Sequence, residues 1–179
     1  MQKRVLLLTG DPGVGKTTVI IKVVEALKAE GVSVGGMISR EVREGNVRIG
    51  FEIIDSTNNK HGWLAHANQK GGPQVGKYHV NMEGLENIGV KAIIQATEKC
   101  SVVAVDEIGP MELYSQLFKQ AVKQALASNK LVLAIMHAKA RDPLISLAKQ
   151  RDDAAIFTVT LGNRDILPQE LCKYALKVL

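Results

Sequence analysis

Gly10-Asp11-Pro12-Gly13-Val14-Gly15-Lys16-Thr17 is spaced to grip phosphate. Its glycines let backbone N–H groups converge on phosphate oxygens with no side chain in the way. In such a loop Lys16 reaches the β- and γ-phosphates and the Thr17 hydroxyl ligates Mg²⁺. Pro12 stiffens the turn without removing a needed donor, and Thr18 extends the segment towards the next apolar run. The context also fits, because Val5-Leu6-Leu7-Leu8 precedes the loop and Val19-Ile20-Ile21, Val23-Val24 and Leu27 come after it. That is strand, turn, helix, the setting a P-loop requires, and the helix offers its positive N-terminal end to the same anion.

A phosphate grip of this kind works with an acidic residue on a neighbouring strand. Val102-Val103-Ala104-Val105-Asp106-Glu107 supplies one: four apolar residues bury the strand and Asp106 emerges at its C-terminal end, the edge where open α/β sheets bind ligands. Asp106 reads as the carboxylate associated with Mg²⁺. Glu107, directly after it, is placed to polarise an attacking water as general base, which favours hydrolysis over phosphoryl transfer. Charge developing at the γ-phosphate calls for a cation. Arg40, Arg43, Arg48, Arg141 and Arg164 are the candidate arginines, Arg40 at the end of the second strand. His137, after the strand Leu131–Met136, is another candidate γ-phosphate contact. In the loop after the last strand, Asn163 is placed to meet the base edge and Arg164 to stack on it. Asn163-Arg164-Asp165 lacks the spacing of a guanine-reading Asn-Lys-x-Asp motif, so tight guanine specificity is not expected.

These groups must be positioned by alternating strands and helices. The patterning predicts strands at Arg4–Thr9, Val34–Arg40, Ser101–Asp106, Leu131–Met136 and Ala155–Thr160. It predicts helices at Lys16–Glu30 (stopped by Gly31), Met82–Lys99, Tyr114–Ser128, from Pro143 to about Gln150, and from Pro168 onward. Gly35 and Gly36 within the second strand signal a bulge or a close approach to the backbone. Residues 41–81 read differently: strand character at 48–55, a turn at Asn58-Asn59, a return strand at His61–His66, a glycine-rich loop at 69–76 and a short strand at 77–81. This is an antiparallel excursion inserted into one domain spanning residues 1–179, suited to a lid or specificity element. The fold class expected is α/β, a three-layer sandwich around a mostly parallel central sheet.

Composition sets the remaining bounds. The chain has 179 residues, 46% apolar, 23% charged and 4% aromatic, which suits one globular domain with an aliphatic core. Its formal net charge of +5 suits a polyanion such as a nucleoside triphosphate. The charge would also suit nucleic acid, but the basic residues are scattered and no arginine-rich stretch supports that partner. Cys100 and Cys172 lie far apart without metal spacing, as expected in a reducing compartment. No apolar stretch reads as a signal peptide or a membrane span. A cytoplasmic, monomeric protein is the expectation.

Four segments in order resemble the thermophile-type nucleoside triphosphatases, a family that includes the cancer-related nucleoside triphosphatase of animals. They are 10–18; Glu41-Val42-Arg43 with Arg48-Ile49-Gly50-Phe51; Asp106-Glu107-Ile108-Gly109-Pro110-Met111-Glu112-Leu113; and Asn163-Arg164. The resemblance implies a P-loop fold and slow, Mg²⁺-dependent hydrolysis of several nucleoside triphosphates to diphosphate and phosphate. It puts Lys16 and Thr17 on phosphates and metal, Asp106 and Glu107 on metal and water, and Asn163-Arg164 near the base. The alternatives are a nucleoside or small-molecule kinase whose excursion binds an acceptor, and a nucleotide-dependent, RNA-associated switch.

Overall fold

A computed structural model of the chain describes residues 2–179. Four apolar runs, 5–8, 34–38, 102–105 and 131–136, are buried throughout and form its centre, because a strand covered on both faces has no side to leave wet. Nine strands among the described residues make one sheet: β1 (Val5–Thr9), β2 (Val34–Glu44), β3 (Val47–Asp55), β4 (His61–His66), β5 (Gln74–Val75), β6 (Tyr78–Val80), β7 (Val102–Ile108), β8 (Leu131–Met136) and β9 (Ala154–Thr158). Their order is β5-β6-β4-β3-β2-β7-β8-β1-β9. Strands β2, β7, β8, β1 and β9 run parallel to their neighbours, and β3 to β6 are added antiparallel at the β2 edge.

Alternate residues of β1 feed two separate cores, Val5 and Leu7 one, Leu6 and Leu8 the other. Helix α1 (Lys16–Ala29) covers the second core. On the first face α2 (Met82–Gly84), a π-helical stretch (Leu85–Val90) and α3 (Lys91–Lys99) run on from one another, followed by α4 (Gln116–Ala127) and α5 (Pro143–Lys149). Helix α6 (Leu167–Val178) returns beside α1. The result is the three-layer α/β sandwich expected from the sequence. Gly36 shows why β2 can lie so near β7: a Cβ there would sit 2.0 Å from the Ala104 carbonyl oxygen, and its φ of 119° is one that side chains disfavour.

Several sequence boundaries are corrected. Strand β2 does not stop at Arg40 but runs to Glu44, paired to β3 across a two-residue turn at Gly45-Asn46. The antiparallel block joins the central sheet at β2, its pairing beginning at Met37 opposite Asp55. Strand β7 runs past Asp106 to Ile108, slipping register against β8 between Val105 and Ile108. Gln74-Val75, expected as loop, forms β5. A 3₁₀ turn (Glu112–Tyr114) precedes α4, whose start is set by the Ser115 hydroxyl accepting from Phe118 N–H. Among the described residues no helix is long and apolar enough to cross a membrane.

One charge cluster ties the sheet edge together. The buried Asp153 carboxylate accepts from Arg151 Nε at 2.8 Å and lies 2.9 Å from Arg4 Nε. Burial pushes its pKa up, but the two guanidinium groups outweigh burial and hold it below the usual carboxylate range. A carboxyl whose folded pKa is depressed adds stability above the unfolded value of about 3.9, and that stability is lost as pH falls through the folded value. We expect Asp153→Asn to lower the unfolding free energy at pH 7 by about 1.5–3 kcal/mol. The difference from the parent should shrink below about pH 4, as denaturant titrations at several pH values would show.

Candidate active site

Strand β1 ends at Thr9, and the chain turns through the glycine-rich loop into α1. Gly15 caps α1 in the left-handed region (φ 109°), with no side-chain cap and no acidic residue in the first turn. The first α-helical bond is Val19 N–H to the Gly15 carbonyl, so the N–H groups of residues 16–18 make no intrahelical bond. A helix end left open in this way is an anion site. Lys16 Nζ folds back over the loop, donating to the carbonyls of Gly10 and Asp11 at 2.9 Å each.

Strand β8 lies between β1 and β7, so the His137 loop stands between the P-loop and the Asp106-Glu107 corner. All three loops open on one cavity of about 560 Å³ at the C-terminal edge of the parallel strands. It is lined by Gly10, Asp11, Pro12, Gly13, Gly15, Lys16, Thr17 and Thr18 at one end and by Asp106, Glu107 and His137 in the middle. Val14 instead packs against the core beneath the loop. His137 Nδ1 accepts from the N–H groups of Lys139 and Ala140 at 3.3 and 3.1 Å. A neutral ring so held carries its proton on Nε2, as a donor.

Asp106 is buried, and its Oδ2 has no hydrogen-bond partner among the described residues. Burial raises its pKa to about 7; the Thr17 hydroxyl opposes this, and the charge of Glu107 adds to it. Such an orphaned oxygen beside a threonine hydroxyl fits a cation carried with the substrate phosphates. Among the described residues no group of three or more His, Cys, Asp or Glu could hold a metal by itself. Burial likewise raises Glu107, against the pull of His137 and Lys16.

Two lining residues have no role that the sequence alone suggests. Ser39, in β2, faces the cavity, and its backbone reaches Asp106. Glu112 is buried, and burial with the nearby Glu107 charge drives its pKa well above the carboxylate range. Its signal is a lone acid between Met111 and Leu113 in an apolar stretch, a position that favours the neutral form.

The arginine candidates separate. Arg40 lines the cavity with its Nε 2.7 Å from Glu52. Arg48 also lines it, bound to Glu41 at 2.6 Å. Arg43 does not line it: its guanidinium is held by Glu41 at 3.0 Å. Arg141 lies in a second, neighbouring depression. Arg164 lies over the P-loop, Nη1 donating to the Val14 carbonyl at 3.3 Å. The Asn163 amide, expected to meet a base, is already used within its own loop: it donates to the Thr158 carbonyl and accepts from Thr160 N–H. Trp63 stacks edge-on against His66 and Tyr78 against Phe51, as packing residues.

Comparison with known proteins places the chain in a family. The model of a family described as NTPase matches residues 5–172. The nucleoside-triphosphatase THEP1 of Thermofilum pendens is 47% identical over 174 residues, covering 97% of this chain and 96% of that protein. The protein of the same name from Methanosarcina acetivorans is 43% identical over 175 residues, covering 97% and 98%. Among solved structures, THEP1 from Aquifex aeolicus superposes with a TM-score of 0.83 at 29% identity, covering 93% of this chain and 96% of its own. A human cancer-related nucleoside triphosphatase superposes with a TM-score of 0.80 at 36% identity, covering 95% and 96%. A P-loop, a buried acidic strand end and a relationship over nearly the whole length thus converge, and the chain belongs to the NTPase family of nucleoside triphosphatases.

Proposed function

We propose that the enzyme hydrolyses ATP, GTP and other nucleoside triphosphates to diphosphate and phosphate with Mg²⁺, with Glu107 as general base. The observation that carries this is the convergence of the phosphate grip and Glu107 on one cavity, with the unpartnered Asp106 oxygen beside Thr17. Thr17 and Asp106 would hold Mg²⁺, which neutralises phosphate charge when bound. Lys16 and the α1 N–H groups bind and orient the β- and γ-phosphates. Glu107 takes a proton from the water that attacks the γ-phosphorus. The Nε2–H of His137 donates to a γ-phosphate oxygen as charge builds there.

Base discrimination is weak in this reading, because the Asn163 amide is occupied and Arg164 offers a plane on which any base stacks. The two free, buried cysteines support work in a reducing cytoplasm. Phosphate release from ATP, GTP, CTP and UTP tests the reading. The four kcat/KM values should lie within about tenfold of one another, and chelation of Mg²⁺ should cut release by about 10²-fold or more. A single active base, or activity indifferent to chelation, would contradict it.

A further inference from the structure

The cavity is longer than a phosphate grip requires. It reaches from the loop after β1 to β5, and β1 and β3 are four strand steps apart. At about 4.8 Å per step that is roughly 19 Å, more than three linked phosphates span. Arg164, the stacking candidate for the base, belongs to the loop after β9, on the far side of β1. A nucleotide whose base lies towards β9 points its γ-phosphate at Glu107 and leaves the β3–β5 end open.

That end is a built wall. Beyond Met37, its last residue paired to β7, β2 continues to Glu44 with β3 alongside, so the hairpin stands over the strand ends. Phe51, Leu64, Val75 and Met111 give it apolar faces, with Glu41 and Arg48 beside them. Arg48 is fixed by Tyr78 Oη at 2.8 Å and by Glu41, and its guanidinium carbon lies 4.9 Å from the Phe51 ring centre. The three arginines of the β2–β3 hairpin each have a carboxylate partner: Arg40 has Glu52, and Arg43 and Arg48 share Glu41. Arg43 stands outside the cavity, and the two arginines that line it, Arg40 and Arg48, are each held by a carboxylate, which leaves them less free to draw an anion. The wall suits a neutral, flat molecule that lies on the apolar faces and presents donors and acceptors to Glu41 and Arg48.

We propose that this end of the cavity binds a neutral hydroxyl-bearing ring compound of the nucleoside class, and that the enzyme transfers the γ-phosphoryl group to it. The proposal rests on the hydrolase reading, because both reactions share the phosphate grip and Glu107. In the step, the acceptor hydroxyl oxygen bonds to the γ-phosphorus as its proton passes to the Glu107 carboxylate. The bond from the γ-phosphorus to the bridging oxygen breaks, its electron pair staying on the diphosphate. The products are a nucleoside diphosphate and a phosphate monoester.

The test supplies the full chain with ATP, Mg²⁺ and, in turn, adenosine, guanosine, cytidine and uridine, and counts inorganic phosphate and nucleoside monophosphate by mass spectrometry. At least one nucleoside should be phosphorylated, with diphosphate formed equal to phosphate plus monophosphate. Val75→Trp, on the two-residue edge strand β5, should lower monophosphate formation about tenfold by filling the pocket, with phosphate release changed less than about twofold. Monophosphate absent with all four nucleosides, while phosphate release continues, would overturn the proposal and leave the hydrolase standing. Equal loss of both activities in Val75→Trp would put the triphosphate's own base at this end and would also overturn it. Absence of phosphate release from the parent would instead defeat the hydrolase reading.

Discussion

Lys16→Ala is expected to remove turnover of every nucleoside triphosphate. The Lys16 ammonium is the cation of the P-loop itself, and its two bonds go to the carbonyls of Gly10 and Asp11. In the proposed mechanism it turns to the β- and γ-oxygens and stabilises charge that grows at the leaving group. Loss of one preorganised donor of this type lowers kcat by about 10²–10³-fold. Binding should weaken as well, because the lysine holds the ground-state phosphates too. The folded state should be nearly unaffected, since no buried packing is lost. Steady-state phosphate release, titration with a fluorescent triphosphate and a denaturant midpoint would separate the three. A variant that retains turnover would show that the phosphates sit elsewhere.

Glu107→Gln should divide binding from chemistry. The substitution keeps size and hydrogen-bonding reach but removes the proton acceptor, which is worth about 10²–10⁴-fold in kcat. It also removes a negative charge close to the γ-phosphate, so triphosphate affinity should hold or improve. Equilibrium binding and single-turnover phosphate release on the same preparation check both halves. Parent-like turnover would remove Glu107 from the role of general base.

The parts of the site legible in the sequence are those in which one stretch of chain does the whole job. The loop 10–17 carries its own glycines, lysine and threonine, and Val102–Val105 states its burial by composition. Asp106 and Glu107 follow from position alone, directly after the buried run Val102–Val105. The hidden parts depend on pairing between distant segments. The run of β2 past Arg40 is stabilised by β3, and nothing local in Glu41–Glu44 announces it. That extension determines which arginines face the cavity, and Glu41 takes up two of them. The placement of β8 between β1 and β7 gives His137 its position, and two backbone N–H groups orient its ring. Asn163 departs from expectation for a more local reason: a short amide side chain in a turn often bonds its own backbone, and this one does so at both atoms.

Hydrolysis at this site depends above all on where a triphosphate sits, and a crystal structure with Mg²⁺ and a non-hydrolysable ATP analogue measures that. The γ-phosphate is expected within hydrogen-bond reach of Lys16 Nζ, with a water between the γ-phosphorus and the Glu107 carboxylate. A triphosphate bound away from the loop 10–17, or a Glu107 carboxylate turned from the γ-phosphate with no water between them, would contradict it.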